Sequence, residues 1–224
     1  MATLTRASRI RNPALFICDI QDKFRTGIYE FPKLYESHVP KIIESQWPTN
    51  QTASQQQKKC SAQPRPPQTP VFITTQNRAK LGNTVPELQQ HLNGPHIRAD
   101  VDKTLFSMIT PEIEKLLPAP GSTPLDVIIV GLETHICVTQ TTLDLLERGH
   151  RVYILVDGVS SINPEERGVA LARLRDAGAV VTSSESVLFE ILGDASHEAF
   201  RAVSGLVKET KESTKGALGV FSKI

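Results

Sequence analysis

The chain has 224 residues, with 25 Lys and Arg against 24 Asp and Glu, and 39% of its residues are hydrophobic. A formal net charge of +1 leaves no general field for drawing in nucleic acid or an anionic membrane surface, so neither is expected as a partner. No run of about eighteen apolar residues occurs, and Cys18, Cys60 and Cys137 are too few and too scattered for a disulfide framework or a zinc pattern; a globular intracellular chain with free thiols is expected.

Residues 1–12 carry Arg6, Arg9 and Arg11 and no acid, a weak echo of a mitochondrial transit peptide, but core sequence follows at once and a short disordered arm is the expectation. Ala14-Leu15-Phe16-Ile17-Cys18 is apolar without polar alternation, the pattern of a strand buried on both faces of a parallel sheet, and it ends at Asp19. Leu34 to Ile43 reads as a helix. Residues 46–70 are rich in Gln and Pro and poor in core formers, which predicts a disordered insertion that holds Trp47 and Cys60 away from any chemistry.

Val71-Phe72-Ile73-Thr74 is a second buried run. Thr110-Pro111-Glu112 opens a helix with a cap residue and a proline at the first helical position. Val127-Ile128-Ile129-Val130 is the next strand, and the apolar spacing from Val138 to Leu146 predicts a helix that Gly149 stops. Val152 to Val156, a helix from Asn163-Pro164-Glu165 to Gly178, a short strand at Ala179-Val180-Val181-Thr182 and a helix from Ser184 follow. The charge run from Lys208 to Lys215 and the remainder of 209–224 read as a flexible tail. Strands alternating with helices imply right-handed βαβ units. The expectation is a single α/β domain over residues 13–208: doubly wound and Rossmann-like, with a mainly parallel six-stranded sheet and helices on both faces.

Ligands in such sheets bind beyond the carboxyl ends of the strands. Those positions are held by Asp19, Gln21, Asp22 and Phe24, by Thr75 to Arg78, and by Gly131-Leu132-Glu133-Thr134-His135-Ile136-Cys137, which leads into a helix. Thiols near helix N-termini feel the positive end of the macrodipole, which favours the thiolate, and free backbone N–H groups there can stabilise an oxyanion. By pattern alone Cys137 serves equally well as a small buried residue anchoring a helix and Asp19 as a capping carboxylate, while Lys103 reads by default as a solvated surface lysine. Cys18 reads as core, and His135 as a pocket wall rather than a base.

Taken together, these residues resemble the isochorismatase-like cysteine hydrolases, and among them the eukaryotic isochorismatase-domain-containing proteins. The resemblance is carried by Leu15 to Arg25, Val85-Pro86-Glu87-Leu88, Lys103 to Met108, Gly131 to Val138, Thr141 to Leu146 and Val156 to Ser161, in this order. It implies Cys137 as nucleophile, Asp19 as general base and Lys103 as the cation that holds the thiolate. It also implies a cis peptide at Glu133-Thr134, an oxyanion hole from the backbone N–H groups of Glu133 and Cys137, and a homo-oligomer, a dimer or larger.

Nicotinamidases of this superfamily hold a metal with histidine and aspartate after the second strand. Here Thr75 to Gly82 has neither, so no metal and no other cofactor is expected. The expected activity is hydrolysis of a small amide-like C–N substrate, with Gln21, Phe24, Asn77, Phe106, Thr134, His135 and Ile136 as pocket candidates. The alternatives are a pocket-retaining binding or scaffold protein and a nicotinamidase-type amidase. Cytosol is the expected location. Ser222-Lys223-Ile224 resembles the peroxisomal address Ser-Lys-Leu with isoleucine in last place, and peroxisomal import is the alternative.

Overall fold

A computed structural model describes residues 9–36 and 69–222. Its elements run β1 (Pro13–Cys18), α1 (Phe31–Glu36), β2 (Val71–Gln76), α2 (Arg78–Leu81), α3 (Pro86–Gln89), β3 (Ile97–Lys103), α4 (Pro111–Glu114), β4 (Asp126–Gly131), a π-helical turn (Thr134–Val138), α5 (Thr139–Glu147), β5 (Arg151–Val159), α6 (Pro164–Asp176), β6 (Val180–Thr182), α7 (Ser184–Leu192), α8 (Phe200–Glu209) and α9 (Lys211–Phe221). The six strands form one sheet in the order β3-β2-β1-β4-β5-β6, every neighbouring pair parallel. This is the expected doubly wound sheet, and its switch point lies between β1 and β4. No helix among the described residues is long and apolar enough to cross a membrane.

Alternation along the central strands builds two cores. Leu15, Ile17, Ile73, Ile128, Val130 and Leu155 face Phe31, Leu34, Val187 and Phe221. Ala14, Phe16, Cys18, Phe72, Val127, Ile129 and Ile154 face Ile113, Cys137, Val138, Leu145 and Leu171. Both faces of β1 are therefore covered, which is why its sequence is apolar throughout. The predicted helix signals hold at Thr110, whose side chain accepts from Ile113 N ahead of Pro111, and at Gly149 and Gly178, which take the left-handed φ values of +81° and +104°.

β3 is the strand that apolar runs did not disclose. It is an edge strand, and its residues alternate half-buried and exposed from Ile97 to Asp102. The expected flexible tail over 209–224 is corrected: α9 runs to Phe221 and buries Thr214, Ala217 and Phe221. The buried Arg167 of α6 donates to Val156 O, Val159 O and Phe221 O, and its guanidinium lies 4.6 Å above the Phe221 ring. Ser222 follows directly and is exposed, whereas Lys223 and Ile224 lie outside the described residues.

The arm expected over 1–12 is corrected at its end, because Ile10 is buried and the backbone N–H groups of Arg11 and Asn12 donate to Asp126 Oδ2. Residues 1–8, most of the helix expected over 34–43, and residues 46–68 of the insertion expected over 46–70 lie outside the described residues. Thr69 and Pro70, at the end of that insertion, already belong to the domain: Thr69 is buried and Pro70 O accepts from Leu15 N.

Candidate active site

The carboxyl ends of β1, β3 and β4 bring Asp19, Lys103 and the turn of Cys137 to one place. Asp19 follows β1 with a left-handed φ of +52°, which swings its side chain off the line of the strand. Its carboxylate is gripped from several sides: Lys103 Nζ donates to Oδ2 at 2.7 Å, Thr74 Oγ1 donates to Oδ1 at 2.7 Å, and the Cys18 thiol points at Oδ2 from 3.6 Å. The side chains of the ion pair are only 1% (Lys103) and 2% (Asp19) exposed. A buried charge this dry persists only when paired and fully hydrogen-bonded.

Lys103 meets that condition. Besides Asp19, its ammonium donates to Gln76 Oε1 at 2.8 Å and to Phe106 O at 3.1 Å, so all three protons are committed. No proton of the ammonium is left to donate to Cys137. Burial alone would lower the Lys103 pKa, but Cys18, Asp19 and Cys137 around it outweigh burial and raise it. The side chain is thus a fixed cation at neutral pH.

Cys137 sits in the π-helical turn that runs directly into α5, and it is 7% exposed. The turn is pinned at several points. Thr141 Oγ1 donates to Cys137 O at 2.6 Å and accepts from Met108 N at 2.9 Å, tying the turn to the loop after Lys103. Leu132 N donates to Cys18 O, and Thr134 N to Ser160 O. Gly131 takes a φ of +120° where a Cβ would overlap the Cys18 carbonyl, so only glycine lets β4 approach β1 this closely. The cis peptide expected at Glu133-Thr134 is corrected to Leu132-Glu133, one residue earlier; no proline marks it in the sequence.

The pocket candidates divide. Phe106 is half exposed and its carbonyl accepts from Lys103 Nζ, while His135 and Ile136, partly buried, belong to the turn itself; His135 Nδ1 shares a 3.0 Å hydrogen bond with Ser161 Oγ and lies 3.8 Å from Glu133 Oε2. Thr134 is fully buried, and its hydroxyl makes no hydrogen bond. Gln21 is corrected to a structural role, because its amide is spent on the backbone of Gln76 and Gly82. Phe24 packs against the core of Leu15 and Ile17, not the one that holds Cys137. Asn77 turns the chain after β2 with a φ of +43°, and its N–H donates to Lys103 O.

Sequence reasoning placed Gln76 among the strand-end positions without giving it a role, and it passed over Thr74 and Cys18 as site residues. Thr74 and Cys18 were read as core, and what marks them is strand parity: alternate side chains at the ends of β1 and β2 fall beside Asp19. Among the described residues no three His, Cys, Asp or Glu side chains group as metal ligands would. A cavity of about 640 Å³ lined by Asp22, Arg78, Thr84 and Asp100 includes none of Asp19, Lys103 and Cys137.

A family model described as the isochorismatase domain matches residues 13–186. Isochorismatase domain-containing protein 2 of Xenopus laevis is 35% identical over 223 residues, which cover 99% of this chain and 96% of the relative. Among solved structures, the MAR1 ribonuclease of Caenorhabditis elegans superposes with a TM-score of 0.70 at 34% identity, covering 91% of this chain and 93% of that one. The YcaC gene product of Escherichia coli, described as an octameric hydrolase of unknown specificity, shares the fold with a TM-score of 0.70 at 17% identity, over 99% of this chain and 98% of that one.

Proposed function

The chain belongs to the isochorismatase family of hydrolases, and from that premise we propose that it is a metal-free cysteine hydrolase of small amide-like substrates. One observation carries the reading: a buried carboxylate and a fixed ammonium, 2.7 Å apart, stand beside the turn that presents Cys137. A thiol served by a proton acceptor and a cation is an activated nucleophile.

In this reading Asp19 takes the Cys137 proton as the sulfur attacks the substrate carbonyl carbon. The oxyanion forms against the backbone N–H groups of Glu133 and Cys137, since those of Leu132 and Thr134 are already given to Cys18 O and Ser160 O. Asp19 then returns the proton to the leaving nitrogen as the C–N bond breaks, giving an acyl-thioester and a free amine or ammonia. Water, deprotonated by Asp19, attacks the thioester; the C–S bond breaks, the acid leaves, and Asp19 returns the proton to the departing sulfur, which restores the Cys137 thiol. Lys103 holds Asp19 in place and keeps positive charge near the sulfur throughout. Phe106, His135 and Ile136, which are at least partly exposed, meet the substrate, whereas Thr134 is fully buried.

The octameric E. coli relative supports homo-oligomeric assembly; light scattering that shows only monomer would contradict it. A panel of small amides, ureides and vinyl ethers tests the reaction, with RNA included because the C. elegans relative is named a ribonuclease. The expected result is release of acid and amine from a small amide, unaffected by a chelator. Turnover of nicotinamide that chelation abolishes would favour the nicotinamidase-type reaction, and cleavage of RNA alone would overturn the amide assignment.

A further inference from the structure

We propose that Cys18 is a resolving cysteine: when a peroxide oxidises Cys137, Cys18 closes a disulfide onto it and shuts the site reversibly. The inference rests on the reading of Cys137 as the reactive nucleophile, and it adds a second thiol for which the hydrolytic steps have no use.

The placement comes from strand parity. Ala14, Phe16 and Cys18 point to one face of β1, and that face is the one covered by the turn of Cys137 and Val138. Cys18 is the last residue of its strand, with its backbone carbonyl accepting from Leu132 N, so β1 and the segment leading to Cys137 are joined at this point. Its sulfur points into the site, 3.6 Å from Asp19 Oδ2, instead of into apolar packing alone. Both cysteines are free and buried.

The two thiols are poised differently. Burial, then the adjoining Cys137 and Asp19, hold the Cys18 pKa well above that of an ordinary thiol, so it waits as S–H. Attack on a peroxide requires a thiolate, which Cys18 does not offer; the first sulfur to react is Cys137, the nucleophile of the hydrolytic reading. Cys137 gives its proton to Asp19 and its sulfur attacks the distal peroxide oxygen; the O–O bond breaks, a sulfenic acid forms, and the displaced alkoxide or hydroxide takes that proton and leaves as alcohol or water. Cys18 sulfur then attacks the sulfenic sulfur, its proton passing through Asp19 to the departing hydroxide, which leaves as water. The two thiols supply the two electrons that reduce the peroxide O–O bond. An added dithiol returns both thiols. Without Cys18 the sulfenic acid has no buried partner and is open to further, irreversible oxidation.

The test treats the full-length protein with hydrogen peroxide, then alkylates free thiols and maps the peptides, in wild type and in Cys18→Ala and Cys18→Ser. Wild type should lose about 2 Da in a peptide pair linking Cys18 to Cys137, and dithiothreitol should restore Cys137 to alkylation. The Cys18 variants should instead gain about 32 Da at Cys137, with no recovery. Wild-type Cys137 that goes to the sulfinic acid while Cys18 stays free, or that pairs with Cys60, would overturn the proposal and leave the nucleophile intact. A Cys137 that neither oxidises nor alkylates would overturn both.

Discussion

Cys137→Ala is expected to lower hydrolysis of any accepted amide by about 10⁴-fold or more while leaving the protein folded. Removing the nucleophile from a catalytic set that works as a unit removes the covalent route entirely, and what remains is the modest help of binding and oxyanion stabilisation. The stability cost is small by comparison. Cys137 is a small buried side chain at 7% exposure, and its truncation should cost about 1 kcal/mol, or roughly 2–4 °C in melting temperature for a chain of this size. Steady-state kinetics with circular dichroism on the same sample check both halves. If the variant keeps its turnover, the covalent route is wrong. If the protein is instead a scaffold, wild type has no hydrolytic activity to lose and Cys137→Ala captures partners as wild type does.

Lys103→Met should be the most destabilising single change at the site. It leaves the buried Asp19 carboxylate without its counter-charge, and Gln76 Oε1 and Phe106 O without their donor. Breaking a buried pair in this way costs about 3–5 kcal/mol, or roughly 6–20 °C in melting temperature. Burial opposes the charged lysine, but the groups around it win and its folded pKa lies above the ordinary value of about 10.4. A raised folded pKa means that the pair's contribution is complete below the unfolded value and is lost only as pH rises through the folded one. The stability gap between wild type and Lys103→Met is therefore expected to hold from about pH 7 to about pH 9 and to shrink only in stronger alkali. Denaturant unfolding at several pH values measures it, and a gap that closes near neutrality would show that Lys103 is not the paired cation.

The central sheet was legible because burial on both faces makes a strand apolar throughout, as in Leu15-Phe16-Ile17 and Val127-Ile128-Ile129-Val130. β3 was not, because an edge strand keeps one wet face: Arg98, Asp100 and Asp102 break the apolar run while Ile97, Ala99 and Val101 keep the period. α9 was misread for a related reason. It buries only Thr214, Ala217 and Phe221 fully, with Leu218 and Val220 partly, and Gly216 and Gly219 lower its helix propensity. Asp19 and the turn of Cys137 were legible as strand-end positions, whereas Lys103 was singled out only by the family resemblance. The residues that hold them were not. Thr74, Gln76 and Cys18 owe their roles to which side of a strand they occupy, and Gln21 proved to be fastened to backbone at both ends of its amide.

Competition among the thiols for iodoacetamide tests the central claim without knowledge of the substrate. Limiting reagent should carboxamidomethylate Cys137 first in the folded protein, and Asp19→Asn should slow that reaction by removing the base beside it, whereas Cys18 should react only after denaturation. Alkylation of Cys18 or Cys60 ahead of Cys137 would contradict the assignment of Cys137 as the nucleophile.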